Sequence, residues 1–289
     1  YLWRLCHRDS RTFAFAPGEP GYRPAMALSS DGRTLAAADH SSEGVTVKLW
    51  DVATGAVRYT LTRKDIDVTF LAFSPDGKTL AWSSDWERSE RINGTDATTH
   101  RVTLYDVATG KERGMFKVPD CTMRAVAFDV DGGRLAVTHN TGVTVWDVSG
   151  LGAGRDAKSL TTLKAGPAVG APFSPDGLKL ATVGLWEGIE IRDISTGQRV
   201  AVLKVDAGRM TATTAAFSPD GRFLAAYGDY PANQVWLWEV ATGKLLLHHS
   251  GQFAAIGHAA GADRIRFSAD SRVLAVAAGY AVKLWDTAT

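Results

Sequence analysis

The chain repeats itself, and the repeat restricts the fold more than any other feature. An apolar residue followed by an Asp-Gly corner recurs as LSSDG at Leu28, FSPDG at Phe73, FDVDG at Phe128, FSPDG at Phe173, FSPDG at Phe217 and, weakened, FSADS at Phe267. The corner aspartates lie 45, 55, 45, 44 and 50 residues apart. A second signal follows each corner: Leu49-Trp50-Asp51, Leu104-Tyr105-Asp106, Val145-Trp146-Asp147, Ile191-Arg192-Asp193, Leu237-Trp238-Glu239 and Leu284-Trp285-Asp286, with a further copy at Leu2-Trp3. A period of this size marks stacked supersecondary units, none of which can bury its apolar face alone.

Each period reads as four short strands, called a to d. In the second, Val68 to Phe73, Thr79 to Ser83, Arg101 to Tyr105 and Glu112 to Phe116 alternate or run apolar between turn residues. Ser-Pro-Asp-Gly puts proline where a turn needs φ near −65° and glycine where φ turns positive. Asp106-Val-Ala-Thr-Gly110 makes the c–d turn with one glycine. The 29 glycines, 9 Trp, 7 Tyr and 11 Phe suit many strands joined tightly. Only Ala254 to Gly261 offers a helical turn or two, so the chain is expected to be all-β.

FSPDG(K/R)xLA followed by xVxLWDVxTGK resembles the WD-repeat family of β-propellers, in a style common among bacterial members, over nearly the whole chain. The resemblance implies one domain over residues 1–289, a toroid of four-stranded antiparallel blades with strand a at the central channel and strand d outermost. Two features depart from the pattern. Gly-His survives only at Gly257-His258, and the aspartate six residues before the tryptophan is replaced by Gly44, Asn140, Ala232 and Gly279. The buried His-Ser-Trp-Asp network of the family is therefore expected to be missing, with apolar packing holding the blades. Seven blades are expected, with missing strands outside the sequence; six blades closed by Arg11 to Phe15 is the alternative.

A meandering blade puts its a–b and c–d turns on one face and its b–c and d–a connections on the other. The first set is nearly constant, as expected where the only task is to turn the chain, whereas the second differs in every repeat. Rigid frames usually carry recognition on such loops. The candidate partner-binding residues are Asp39 and His40, Asp85, Trp86, Arg88 and Arg91 of the insertion Ser84 to His100, Asn140, Trp186 and Glu187, Asp229 and Tyr230, His258 in the long connection His249 to Gly261, and Tyr280. Trp and Tyr among mixed charges suit a protein partner. Trp50, Trp146, Trp238 and Trp285 are expected instead in inter-blade packing.

Other chemistries find little support. With 32 Lys+Arg against 31 Asp+Glu and no basic stripe, nucleic acid is not expected. The longest apolar run, Val273 to Val282, is too short to cross a bilayer. Cys6 and Cys121 make neither a disulfide framework nor a zinc site. GxSxG, HExxH, P-loop and EF-hand patterns are absent. The glycines at 150, 152 and 154 read as an expanded c–d turn, and a strand would point His248 and His249 to opposite faces. No catalytic residue, metal or cofactor is expected. Asn93-Gly94-Thr95 is a glycosylation sequon that matters only in a secreted eukaryotic protein. Tyr1 opens the chain without a signal pattern, so it reads as part of a larger protein, and a cytoplasmic location is expected. The resemblance implies a non-catalytic interaction platform, in some members beside a signalling or catalytic domain. The alternative is ligand binding or catalysis at the channel mouth, where the a strands converge with few acids or bases.

Overall fold

A computed structural model describes residues 25–41, 44–63, 68–84, 100–118, 122–164, 168–184, 188–204, 212–228, 233–251, 265–278 and 281–287. They form six antiparallel sheets, each a simple meander. Sheet one holds β1 (Met26–Leu28), β2 (Thr34–Ser41), β3 (Gly44–Asp51) and β4 (Val57–Arg63). Sheet two holds β5 (Phe70–Phe73), β6 (Thr79–Ser84), β7 (His100–Asp106) and β8 (Glu112–Val118). Sheet three follows with β9 (Met123–Phe128), β10 (Arg134–His139), β11 (Gly142–Asp147) and β12 (Lys158–Lys164). Sheet four holds β13 (Ala168–Gly170), β14 (Lys179–Gly184), β15 (Ile189–Asp193) and β16 (Arg199–Leu203). Sheet five holds β17 (Ala212–Phe217), β18 (Phe223–Gly228), β19 (Asn233–Glu239) and β20 (Leu245–Gly251). Sheet six has three described strands, β21 (Ile265–Phe267), β22 (Val273–Ala278) and β23 (Ala281–Asp286).

The first strands of consecutive sheets touch in series, β1 with β5, β5 with β9, β9 with β13, β13 with β17 and β17 with β21. The sheets therefore fan out from their first strands, an arrangement consistent with a β-propeller. The expected strands of the second repeat are all present, shifted by one or two residues at some ends. Residues 254–261 lie outside the described residues.

No sheet encloses a core of its own. The apolar clusters lie between neighbours: Val47 and Leu49 against Leu80, Trp82 and Tyr105, Val102 and Leu104 against Leu135 and Val137, Val143 and Val145 against Leu180 and Ile194, Ile189 and Ile191 against Trp236 and Trp238, and Val235 and Leu237 against Leu274 and Val276. Period-two alternation gives each strand an apolar residue on both faces, so one sheet is the middle of two cores.

Where the third strand meets the fourth, the register slips at the same place in five sheets: Leu49/Trp50, Leu104/Tyr105, Val145/Trp146, Ile191/Arg192 and Leu237/Trp238. A bulge bends the strand and increases its twist. The slot aromatics of sheets two, three, five and six pack across to the preceding sheet, as expected, while Trp50 is buried in sheet one. Trp146 lies 4.5 Å from the Phe116 ring, Trp285 lies 5.8 Å from the His249 ring, and Trp238 Nε1 donates to the Lys204 carbonyl at 3.2 Å. Tyr105 fills the slot in sheet two and accepts from Arg63 of sheet one.

Candidate functional site

The constant end of the sheets does more than turn the chain, which corrects the expectation that turning is its only task. In five of the six a–b corners a serine hydroxyl donates to the aspartate two residues on and accepts the backbone N–H five residues on. Ser29 donates to Asp31 at 2.6 Å and accepts from Thr34 at 2.9 Å. Ser74 repeats this with Asp76 and Thr79, Ser218 with Asp220 and Phe223, and Ser268 with Asp270 and Val273. That hydroxyl holds the carboxyls of Asp31, Asp76 and Asp270 below the usual aspartate range.

The corners then bond to one another. Ser30 Oγ donates to the Pro75 carbonyl, Arg134 Nη2 donates to the Gly177 carbonyl at 2.7 Å, and the Asp220 N–H donates to Ser271 Oγ at 3.1 Å. A Cβ on Gly132 would stand 3.3 Å from Ser74 Cβ. Ser271 replaces the corner glycine at φ 60°, a left-handed conformation a serine rarely adopts, and its hydroxyl is the group that meets Asp220.

The c–d turns are closed by the acid after the aromatic slot. Asp51 Oδ1 accepts from the Thr54 N–H at 2.8 Å, Asp106 from the Thr109 N–H at 2.8 Å, and Asp193 from the Thr196 N–H at 2.9 Å. The Arg58 guanidinium lowers the Asp51 pKa to about 2, and the Ser195 hydroxyl does the same for Asp193. These turns also meet the preceding sheet, where Tyr59 donates to the Ala108 carbonyl. Gly150, Gly152 and Gly154 do lie in an expanded turn between β11 and β12, whose buried Leu151 packs against Gly114 of sheet two.

Because the a–b corners share one end, the b–c connections share the other. Of the candidate partner-binding residues, Asp39 is half-buried at the end of β2, and His40 pairs through its backbone with Val45. Asn140 is partly occupied within the fold. Its Oδ1 accepts from the Thr122 N–H at 3.3 Å and its own N–H donates to the Thr122 carbonyl at 3.2 Å, which ties the b–c turn to the start of β9. Asp85, Trp86, Arg88, Arg91, Trp186, Glu187, Asp229, Tyr230, His258 and Tyr280 lie outside the described residues, as does Asn93. The strands that bracket the first eight and Tyr280 are b and c strands at this same end.

Sequence reasoning overlooked His139, the residue before Asn140. It is buried, with Nδ1 2.9 Å from Thr141 Oγ1 and Nε2 3.1 Å from Thr144 Oγ1, which lies 3.2 Å from Thr162 Oγ1. Burial pushes its imidazole pKa down. A threonine two residues beyond a strand-ending histidine carries no recognisable signal in sequence. His248 and His249 do point apart: His248 stacks on Trp236 and meets Gln234, whereas His249 meets Lys283.

Along the six first strands the described ionisable residues are Arg124 and Arg266, both exposed. Among the described residues no group of three His, Cys, Asp or Glu could hold a metal ion, and no helix is long and apolar enough to cross a membrane.

No family model matches the chain. It is 30% identical to WD repeat-containing protein SL1-17 of Schistosoma mansoni over 176 residues, covering 60% of this chain and 51% of that protein. It is 25% identical to Protein tipD of Dictyostelium discoideum over 264 residues, 78% of this chain and 42% of that one. With WD repeat-containing protein WDS homolog of Arabidopsis thaliana it shares 24% over 219 residues, 74% of this chain and 38% of the other. The chain thus spans about half, or less, of the length of these curated relatives. All three come from eukaryotes, so the bacterial style of the repeats finds no support among them. The corners, the slot aromatics and these relatives together make the chain similar, at low identity, to WD-repeat proteins.

Proposed function

We propose that the chain is a WD-repeat propeller that acts as a non-catalytic scaffold, binding a protein partner through its b–c and d–a connections. One observation carries this reading: the constant end is consumed by bonds between sheets, from Ser30 to Pro75, Arg134 to Gly177 and Asp220 to Ser271. The varied end carries Trp86, Trp186 and Tyr230, side chains that supply much of the affinity in protein interfaces. A ring held by its other end is preorganised, so little ordering cost falls on binding. Among the described residues the six first strands carry two arginines and no acid, so these strands offer no carboxylate base for proton transfer. The ring is read as seven sheets, in a cytoplasmic protein in which a signalling or catalytic domain accompanies it, with neither nucleic acid nor membrane as partner.

The test is affinity capture from cell extract with the full chain, comparing wild type, Trp86→Ala with Trp186→Ala, and Lys78→Ala with Arg222→Ala on the constant end. Loss of the captured proteins in the first variant alone supports the assignment. Equal capture by all three, or loss confined to the second, rejects the face.

A further inference from the structure

The apolar rows between sheets two and three end in a pair of histidines at the b–c end. On β7 the residues facing sheet three are Leu104, Val102 and, one period of the strand further, His100; on β10 those facing sheet two are Leu135, Val137 and His139. The two histidines are 3% and 5% exposed. Val118 pairs with His100 and Met123 with His139, and both partners are buried in the cluster these rows form. The same two slots hold Val45 and Ser84 between sheets one and two, Thr141 and Gly184 between sheets three and four, and Asn233 and Ala278 between sheets five and six. None of those side chains titrates near neutral pH. The charged residues of the surrounding strands at this end are cations. Arg101 and Lys117 alternate to the opposite face, Lys164 shares the row of His139 through Gly142, and Arg124 stands at the β9 bulge beside Met123. A proton on one ring therefore puts charge into an apolar interface, and a second sets like charges against each other.

We propose that His100 and His139 form an acid-sensitive latch: proton uptake by the pair parts sheets two and three at the b–c end, frees the turn that Asn140 ties to Thr122, and weakens a partner bound there. Only the last step rests on the partner-binding reading above. His139 is the anchor of that turn, since its ring meets Thr141 at 2.9 Å and Thr144 at 3.1 Å, while Asn140 beside it holds both the N–H and the carbonyl of Thr122. Burial lowers the His139 pKa, so the opened interface takes a proton more readily than the closed one. The latch is then shut above about pH 6.5 and yields as pH falls below that value. Elsewhere the same two sheets are held by contacts that do not titrate. Leu151 packs against Gly114, and Trp146 lies 4.5 Å from the Phe116 ring. The opening is therefore confined to the end that carries the varied loops.

Thiol labelling of the full chain tests it, with Cys6→Ser and Cys121→Ser removing the native thiols. Met123→Cys reports on the interface between sheets two and three and Val183→Cys on that between sheets four and five, both from buried positions. Between about pH 7.5 and about pH 5 the labelling rate of Met123→Cys is expected to rise at least fivefold relative to that of Val183→Cys. His100→Gln with His139→Gln should abolish most of this rise, and each single variant should keep part of it. A ratio that does not change with pH, or that rises as far with both histidines replaced, would overturn the latch. An equal acceleration at both sites would show loosening of the whole fold and overturn it as well. Affinity capture at the two pH values reads the consequence, and is expected to fall in acid for wild type but not for the double glutamine variant. Capture unchanged by acid while the Met123→Cys site opens would overturn the link to binding. Failure of the binding face itself shows separately, as capture that Trp86→Ala with Trp186→Ala leaves intact.

Discussion

Arg134 donates its Nε to the buried carboxylate of Asp129 at 2.7 Å and its backbone N–H to the same group at 2.9 Å. Asp129 stands where the other five corners have serine, and it makes the serine's bond to the backbone five residues on. The extra charge holds Arg134 so that its Nη2 reaches the Gly177 carbonyl of the next corner. A single substitution thereby turns a local corner into a link between sheets three and four.

Asp129→Ala removes the acceptor from a backbone N–H and strands a guanidinium that is 27% exposed. The expected loss is about 2–4 kcal/mol, the range for breaking a largely buried pair from one side. Asp129→Ser should recover the backbone bond but not the link, and fall between the two. Urea unfolding of the three proteins checks the order. Equal stability of the Ala and Ser variants would show that the backbone bond contributes nothing.

Glycine in the constant turns has two separable reasons to be there. Gly32 and Gly110 share a positive φ, +69° and +67°, but a Cβ on Gly32 would meet nothing within 4 Å, whereas on Gly110 it would stand 2.7 Å from Tyr59 Cδ1. Gly32→Ala should cost only the left-handed backbone, about 1–2 kcal/mol. Gly110→Ala adds an overpacking cost of about 1–3 kcal/mol, and Tyr59→Ala in the same chain should relieve that part alone. A double-mutant cycle by thermal unfolding measures it. Independent, additive effects of Gly110→Ala and Tyr59→Ala would refute the contact.

The turns and strands were legible in the sequence because each demands a residue type at a fixed place: glycine at a positive φ, serine and aspartate in the corner, an aromatic in the third strand. The same composition could not show Arg134 reaching Gly177 or Tyr59 lying under Gly110. Those contacts join residues more than forty positions apart, and they exist only once neighbouring sheets stand side by side. Arg192 in the aromatic slot was visible as an exception but not explained. The structure supplies the reason in Glu190 beside it. The candidate face was legible as a set of loops, since variation shows where the scaffold sets no requirement, but variation alone does not say which side chains meet. Asn140 illustrates this, being engaged with Thr122.

His139 gives the fold an acid-sensitive element. Its pKa is lowered from the ordinary 6.5 because burial disfavours the imidazolium, so the unfolded chain binds the proton more readily than the folded one. Its contribution is therefore constant above about pH 6.5 and is lost as pH falls through that value toward the depressed folded pKa. His139→Gln, which can still meet Thr144, should lose less stability than wild type between about pH 7.5 and about pH 5. Urea midpoints at the two pH values measure the difference. An identical drop in both proteins would assign the acid sensitivity to other groups.

The aromatic slot tolerates arginine in one sheet and should reject it in another. Arg192 donates Nε and Nη2 to Glu190 at 2.9 and 2.6 Å and Nη1 to the Gly197 carbonyl at 3.1 Å, while Arg199 also binds Glu190. Arg192→Leu leaves Glu190 with Arg199, and a partly exposed pair contributes little, so the cost should stay near 1 kcal/mol or below. Trp238 is fully buried in an apolar cluster with Ile191, Leu203 and Trp236. Trp238→Arg places an uncompensated charge there and should cost at least about 3 kcal/mol or prevent folding. Trp238→Phe, which loses volume and the bond to Lys204, should cost about 1–3 kcal/mol. Unfolding midpoints for the three variants rank them. A Trp238→Arg chain as stable as Arg192→Leu would mean that the slot is open to solvent in every sheet, and that the packing between sheets four and five is not what holds them together.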